Sequence, residues 1–211
     1  MQVPYKGGAL FDGDNAPAEG DGVLVEDDKV ASVAPEAAFE GFSGTVIDTS
    51  GGTLMPGLID CHVHLCLGAE GDPGTAAEKL LPGQTVMKAL DRAQTTLAGG
   101  KIAMGTDAGT PFNKHGANSD ELALMVGIGI APMDALRIST SSAADLVDLP
   151  SEGRITEGGF AHFLLVDGNP TEDIDRAAKR EHHRLVVKRG QPVSAATMAL
   201  AAAPFQPLAA F

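Results

Sequence analysis

The chain has 211 residues, 44% of them hydrophobic and 20% charged, with a formal net charge of −13. That length allows one large domain or two small ones with a buried core. The acidic balance excludes the basic face that nucleic acid or an anionic membrane surface requires.

Glycine (26) and proline (13) are frequent, which points to many turns rather than a helix bundle. The two cysteines, Cys61 and Cys66, make no disulfide framework and are badly placed to bond each other on an extended segment. Reduced thiols and a cytoplasmic setting are expected. The start, Met1-Gln2-Val3-Pro4-Tyr5-Lys6, lacks the charged region and apolar core of a signal peptide. No apolar run approaches the ~18 residues of a membrane helix.

Residues 1–55 read as short strands and turns. Gly22-Val23-Leu24-Val25-Glu26 and Lys29-Val30-Ala31-Ser32-Val33 flank Asp27-Asp28 as a hairpin. A further strand is expected over Gly44-Thr45-Val46-Ile47-Asp48, broken by Ser50-Gly51-Gly52. Asp12, Asp14, Asp27 and Asp28 read as turn and surface residues.

The most informative stretch follows, Pro56-Gly57-Leu58-Ile59-Asp60-Cys61-His62-Val63-His64-Leu65. On a strand, alternate side chains share a face, so His62 and His64 point the same way. Two imidazoles on one face suit a metal ion, and two polar residues at a strand end are the plainer reading. Residues 75–98 carry helical spacing, with a capping box at Thr75-Ala76-Ala77-Glu78 and a break at Pro82-Gly83. Lys101-Ile102-Ala103-Met104-Gly105-Thr106-Asp107 is a second buried strand ending in a carboxylate. Strand, helix and strand make a βαβ unit, whose chemistry lies beyond the carboxyl ends of its parallel strands. His62, His64 and Asp107 all lie toward that end.

His115 sits in the loop that follows. Asn118 or Ser119 is expected to cap a helix through Leu122 and Met125. A second helix starts near Ala131-Pro132, with helical spacing resuming through Ala143, Ala144, Leu146 and Val147. Residues 151–193 read as β again, in Gly153-Arg154-Ile155, in the run from Phe160 to Asp167, and in His183-Arg184-Leu185-Val186-Val187-Lys188. Residues 194–211 form an Ala- and Pro-rich tail. His162, His182 and His183 read as structural, the last two on the surface.

The order of these phrases resembles the metal-dependent amidohydrolase superfamily, in the branch of imidazolonepropionase-like enzymes and of dipeptidases that cleave Xaa-Pro or Xaa-Arg/Lys peptides. The resemblance rests on Met55-Pro56-Gly57-Leu58-Ile59-Asp60-Cys61-His62-Val63-His64 and on Gly105-Thr106-Asp107. Gly116-Ala117-Asn118-Ser119-Asp120-Glu121-Leu122 after His115, Gly153-Arg154-Ile155-Thr156-Glu157-Gly158 and Val166-Asp167-Gly168-Asn169-Pro170 add to it. It spans about residues 5–193. It implies an α/β-plus-β fold, in which a small β-sandwich from both chain ends flanks a (β/α)8 barrel. It further implies that His62, His64 and Asp107 bind Zn²⁺ or another divalent metal, that Asp107 handles the proton of the attacking water, and that His115 lies near substrate.

This chain departs from the family in length. A complete barrel takes about 250 residues, and only residues 57–150 stand in its place. The expected organisation is residues 1–56 with 151–193 as a composite β-sandwich, 57–150 as a truncated, incomplete TIM-barrel-like βαβ region, and 194–211 as the tail. No residue matches the family's bridging lysine or its two later histidines. Lys101 begins its strand about 20 Å from the metal end. Cys66 shares the parity of His62 and His64. Two parallel strands leave open edges, so a homo-oligomer that covers them, or a flattened α/β layer covered by helices, is expected.

The expected activity is metal-dependent hydrolysis of an amide (C–N) bond in a small-molecule substrate such as a dipeptide, an N-acyl amino acid or a cyclic amide. One alternative is a non-catalytic, oligomerising remnant with an incomplete metal site. Another is a metal-free hydrolase using a serine or Cys66, although the chain has no Gly-X-Ser-X-Gly and Ser139, Ser141 and Ser142 fall in a helical stretch.

Overall fold

A computed structural model of the chain describes residues 1–62, 102–110, 113 and 115–193. The helices expected over residues 75–98, and with them His64, Cys66, Lys101 and the tail, lie outside the described residues.

Two sheets organise what is described. The first has the order β4–β3–β1–β5, with β1 Gln2–Lys6, β3 Asp21–Glu26, β4 Lys29–Pro35 and β5 Ile47–Asp48. The second has the order β2–β6–β7–β8–β9, with β2 Ala9–Leu10, β6 Gly52–Pro56, β7 Phe163–Asp167, β8 His183–Lys188 and β9 Gln191–Pro192. Both sheets are mixed, because β1 pairs with β5 and β2 with β6 in parallel while the other pairings are antiparallel.

The expected hairpin forms, with Glu26 opposite Lys29 and Asp27 in a left-handed turn conformation at φ 54, which Asp tolerates better than most side chains. Alternation decides which residues it buries. Val23 and Val25 point inward with Val3 and Tyr5 of the neighbouring strand, and across the gap lie Leu54, Phe163, Leu165 and Val187 of the second sheet. The Tyr5 and Phe163 rings meet edge to face, with centroids 5.5 Å apart.

The chain changes sheets three times, between β1 and β2, between β2 and β3, and between β5 and β6. The first and last of these crossings touch each other. Thr49 N–H donates to the Lys6 carbonyl at 2.8 Å, and Gly8 N–H to Thr49 Oγ1 at 2.9 Å. A Cβ on Gly8 would stand 2.2 Å from the Thr49 carbonyl oxygen, so no side chain fits there.

Strands β6 and β7 of the second sheet are buried on both faces, and residues 163–166 of β7 read accordingly as an unbroken apolar run. Phe163 and Leu165 face the first sheet, while Leu164 and Val166 face a second core. That core gathers Met55 and Met104 with residues of α1 Asp120–Gly127, α2 Pro132–Ile138 and α4 Asp175–Ala178, of which Leu122, Leu136 and Ala177 are fully buried. Between α2 and the β7 segment lies α3, Ser141–Leu146. Among the described residues no helix is long and apolar enough to cross a membrane.

Several expectations are corrected. The strand expected over 44–48 is confined to Ile47–Asp48. Residues 153–155 bury Ile155 without joining a sheet, and residues 160–162 bury Ala161 and meet β4 only through an isolated bridge between Phe160 and Lys29. Residues 57–62 and 102–107 form no regular ladder, and Asp107 ends the second of them in a left-handed conformation. Their apolar side chains Leu58, Ile102 and Met104 pack on the helical core as strands would, so the pattern reports burial and not pairing. His182 and His183 are half-buried rather than surface residues: Nδ1 of His182 lies 3.3 Å from Arg176, and Nε2 of His183 lies 2.8 Å from the Ala177 carbonyl.

Tyr5 offers a direct check of the inter-sheet core. Burial pushes its phenol up to about 12, against about 10 for an unfolded chain. The neutral form is therefore favoured by folding. Its stabilisation is complete below pH ~10 and is lost as the pH rises toward 12, a decline of about 2–3 kcal/mol in unfolding free energy. The chain has one Tyr and no Trp, so phenolate absorbance reads this residue alone. The native chain is expected to ionise near pH 12 and the urea-unfolded chain near pH ~10. A native titration at the unfolded value would contradict this core.

Candidate functional site

Residues 57–62 leave the end of β6 and run along the helical layer. Gly57 N–H donates to the His162 carbonyl, Ile59 N–H to Ser139 and Cys61 N–H to Met104, at 2.8–2.9 Å. Residues 102–107 run beside them in the same direction, with Asp107 N–H donating to the His62 carbonyl at 2.9 Å. The two segments thus bring together the residues at their carboxyl ends. His62 Nε2 lies 2.8 Å from Asp107 Oδ1, and both side chains are 63% exposed.

Two details of backbone chemistry fix this approach. Gly105 passes so close to His62 that a Cβ there would stand 3.0 Å from the His62 Cβ. Asp107 takes a left-handed conformation at φ 57, an uncommon state for a residue with a side chain. The turn after it is held by Thr110, whose N–H and hydroxyl both donate to the Asp107 carbonyl.

Beneath the pair lies a carboxylate that the sequence presents only as part of a motif. Asp60 Oδ1 accepts the N–H groups of His62 and Thr106, each at 3.1 Å. Its Oδ2 accepts the Thr106 hydroxyl, and Asn118 Nδ2 at 2.6 Å. The Asp60–His62 contact is an Asx-turn, and its signal is present in the Asp-X-His spacing. Asn118 is therefore occupied with Asp60, and no side-chain bond caps α1; the Ser119 hydroxyl donates to the Ala178 carbonyl instead. His115 is exposed, on the turn that leads through Gly116 to Asn118.

One imidazole nitrogen and one carboxylate oxygen are donors that zinc and similar divalent ions accept. Two such donors on one tetrahedral ion stand about 3.4 Å apart. The 2.8 Å contact must open by roughly 0.6 Å to admit an ion, and side chains this exposed have room to do so. Among the described residues no group of three or more His, Cys, Asp or Glu side chains converges on one point. The pair fits as part of a metal shell, with His64 outside the described residues.

Parts of the chain are similar to known proteins. The model of the amidohydrolase family matches residues 97–193, which include Asp107, His115 and Asn118. Over 46 residues the chain is 44% identical to the imidazolonepropionase of Photorhabdus laumondii, a stretch covering 22% of this chain and 11% of that protein. Over 67 residues it is 37% identical to the imidazolonepropionase of Chromobacterium violaceum, covering 31% and 16%. Residues 97–193, just under half of the chain, are thus similar to the amidohydrolase family. The fold is similar to that of solved structures. A Xaa-Pro dipeptidase structure matches with a TM-score of 0.72 at 14% identity, covering 92% of this chain and 100% of that one. A molinate hydrolase structure matches with a TM-score of 0.71 at 12% identity, covering 100% and 99%. The stretches shared with the two curated relatives amount to less than a fifth of either relative.

The Ser139, Ser141 and Cys61 side chains are poor nucleophiles. Ser139 and Ser141 are buried and donate to the carbonyls of Ala135 and Gly13. The Cys61 thiol is pushed up by burial and by the neighbouring Asp60 charge, which keeps it protonated. These contacts count against the expected serine alternative, and Cys66 lies outside the described residues. A cleft of about 370 Å³ is lined by Gly57, Ile59, Glu152, His162, His183 and Lys188 among others, but by neither His62 nor Asp107. His162 lies 3.5 Å from Glu152 there, in keeping with a structural role.

Proposed function

We propose that the chain is a metal-dependent hydrolase of amide (C–N) bonds in a small substrate such as a dipeptide, an N-acyl amino acid or a cyclic amide. The observation that carries this reading is the 2.8 Å contact between His62 and Asp107, two exposed metal-type donors brought together from distant parts of the chain. His62, Asp107 and His64 would hold one zinc or similar divalent ion. Such an ion, when bound, acidifies a water and polarises the scissile carbonyl. Asp107 accepts the proton from the attacking water at its carboxylate and passes it to the leaving nitrogen. His115, on the exposed turn that leads to Asn118, binds substrate.

The reading carries an architecture with it. Residues 1–56 and 151–193 make one β-sandwich, residues 57–150 a shortened barrel segment, and a second copy of the chain covers the open edges. The cytoplasm is the proposed location.

Metal content decides the central point. The chain, equilibrated with zinc and then desalted, is expected to retain about one ion per protomer, and His62→Ala to bind at least ~10-fold more weakly. Equal zinc in the two proteins sinks the reading. Mass in solution, measured on the same samples, tests the second copy.

A further inference from the structure

The His62–Asp107 contact poses a physical problem. Both side chains are 63% exposed, so packing does not hold them. The segments that carry them are joined by isolated backbone bonds rather than a ladder. Something else must fix their separation.

Asp60 has the geometry to do it. Its two oxygens accept from four donors: the His62 and Thr106 amides on Oδ1, and the Thr106 hydroxyl and Asn118 amide on Oδ2. That matches the roughly four acceptor sites of a carboxylate. The oxygens are therefore committed, and Asp60 is not itself available as a metal donor. One of the amides belongs to His62, and Thr106 immediately precedes Asp107. The Thr106 hydroxyl in turn accepts from Ala108 N–H and Asn118 Nδ2, at 3.1 and 3.2 Å. A second amide side chain, Asn113 Nδ2, donates to the Thr106 carbonyl. A single charged group thus ties the segment of His62, the segment of Asp107 and the start of α1 to one point, through charge-assisted bonds of the stronger kind.

We propose that Asp60 is the positioning residue of the His62–Asp107 pair and that Asn118 completes its clamp. The role is to set the separation and direction of two donors, as groups behind metal ligands do. Its effect on metal binding rests on the reading given under Proposed function. Its effect on the two segments does not.

The test uses Asp60→Asn, Asn118→Asp and the double swap in the whole chain, with zinc as probe. Asp60→Asn sets the new amide NH2 against the Asn118 amide. Zinc affinity is expected to fall by about 10–100-fold. Hydrogen exchange at the Asp107 amide, which bonds the His62 carbonyl, is expected to accelerate at least ~10-fold. Amides of β7 are expected to keep their wild-type protection. In the double swap the amide now at position 60 keeps its carbonyl oxygen toward the two backbone amides. Its NH2 donates to the carboxylate now at position 118. Both readouts are then expected to return to within about threefold of wild type. A merely structural role gives no such rescue.

Wild-type zinc affinity and Asp107 protection in Asp60→Asn would overturn the proposal. So would a double swap no better than the single variant while β7 stays protected. If the wild-type chain itself binds no zinc, the metal reading fails and the exchange data alone decide the positioning role. If Asp60→Asn does not fold, Asn118→Ala, which removes one donor of the four, reads the same two quantities.

Discussion

Phe163→Ala is expected to lower the unfolding free energy by about 3–5 kcal/mol, measured by urea denaturation. The ring is 1% exposed, lies edge to face with Tyr5, and is the largest apolar group that β7 sends into the space between the sheets. Removing it leaves a void that neither sheet can close without breaking its register, because Phe163 pairs with Pro56 on one side and Val187 on the other. Against a total stability of roughly 5–15 kcal/mol for a domain, that loss unfolds a large share of the chain at modest denaturant. It also reaches the site. Pro56 is the last residue of β6, and Gly57 N–H is anchored on the His162 carbonyl. The segment carrying Asp60 and His62 therefore starts from the position that Phe163 holds. A loss below ~1 kcal/mol would mean that the two sheets do not share this core.

What the sequence discloses follows from how local each feature is. The hairpin of β3 and β4 is legible because alternation and a two-residue turn are both short-range signals. The helices beginning at Asp120 and Pro132 are legible from spacing and from proline at a first-turn position. The runs 57–62 and 102–107 carry the same apolar content as strands, and they pack apolar side chains on the helical core. Their hydrogen bonds, however, involve Ser139, Met104, Ile138 and His62 in separate directions. Composition does not encode that. Two of the three sheet crossings are written in Gly7-Gly8 and Gly51-Gly52, yet the need for glycine at position 8 arises from the carbonyls of Thr49 and Gly52, far along the chain.

The site divides in the same way. His62 and Asp107 are legible from family phrases, and the structure places them in contact. Asp60 belongs to the same phrase but its role is hidden there, because a carboxylate among histidines reads first as a ligand or a surface charge. Its four donors come from positions 62, 106 and 118, and only the first lies nearby in sequence.

Gly105→Val is expected to weaken zinc binding at least ~10-fold while moving the thermal midpoint by only a few degrees. The reasoning is steric and local. A Cβ at position 105 stands 3.0 Å from the His62 Cβ, so alanine forces a shift of a few tenths of an ångström. Valine adds two methyl groups in the same space. The backbone of residues 104–107 resists moving, since Cys61 holds the Met104 carbonyl and Asp60 and Asn113 hold Thr106. The His62 side chain, exposed although its backbone is held, gives way instead, and its Nε2 leaves the 2.8 Å approach to Asp107. The hydrophobic cores are untouched, because neither Gly105 nor His62 belongs to them. Stability and metal affinity should therefore separate, with Gly105→Ala falling between wild type and valine. If valine and wild type bind zinc equally at matched stability, His62 is not a donor to the ion. The glycine of Gly105-Thr106-Asp107 would then be explained by backbone packing alone.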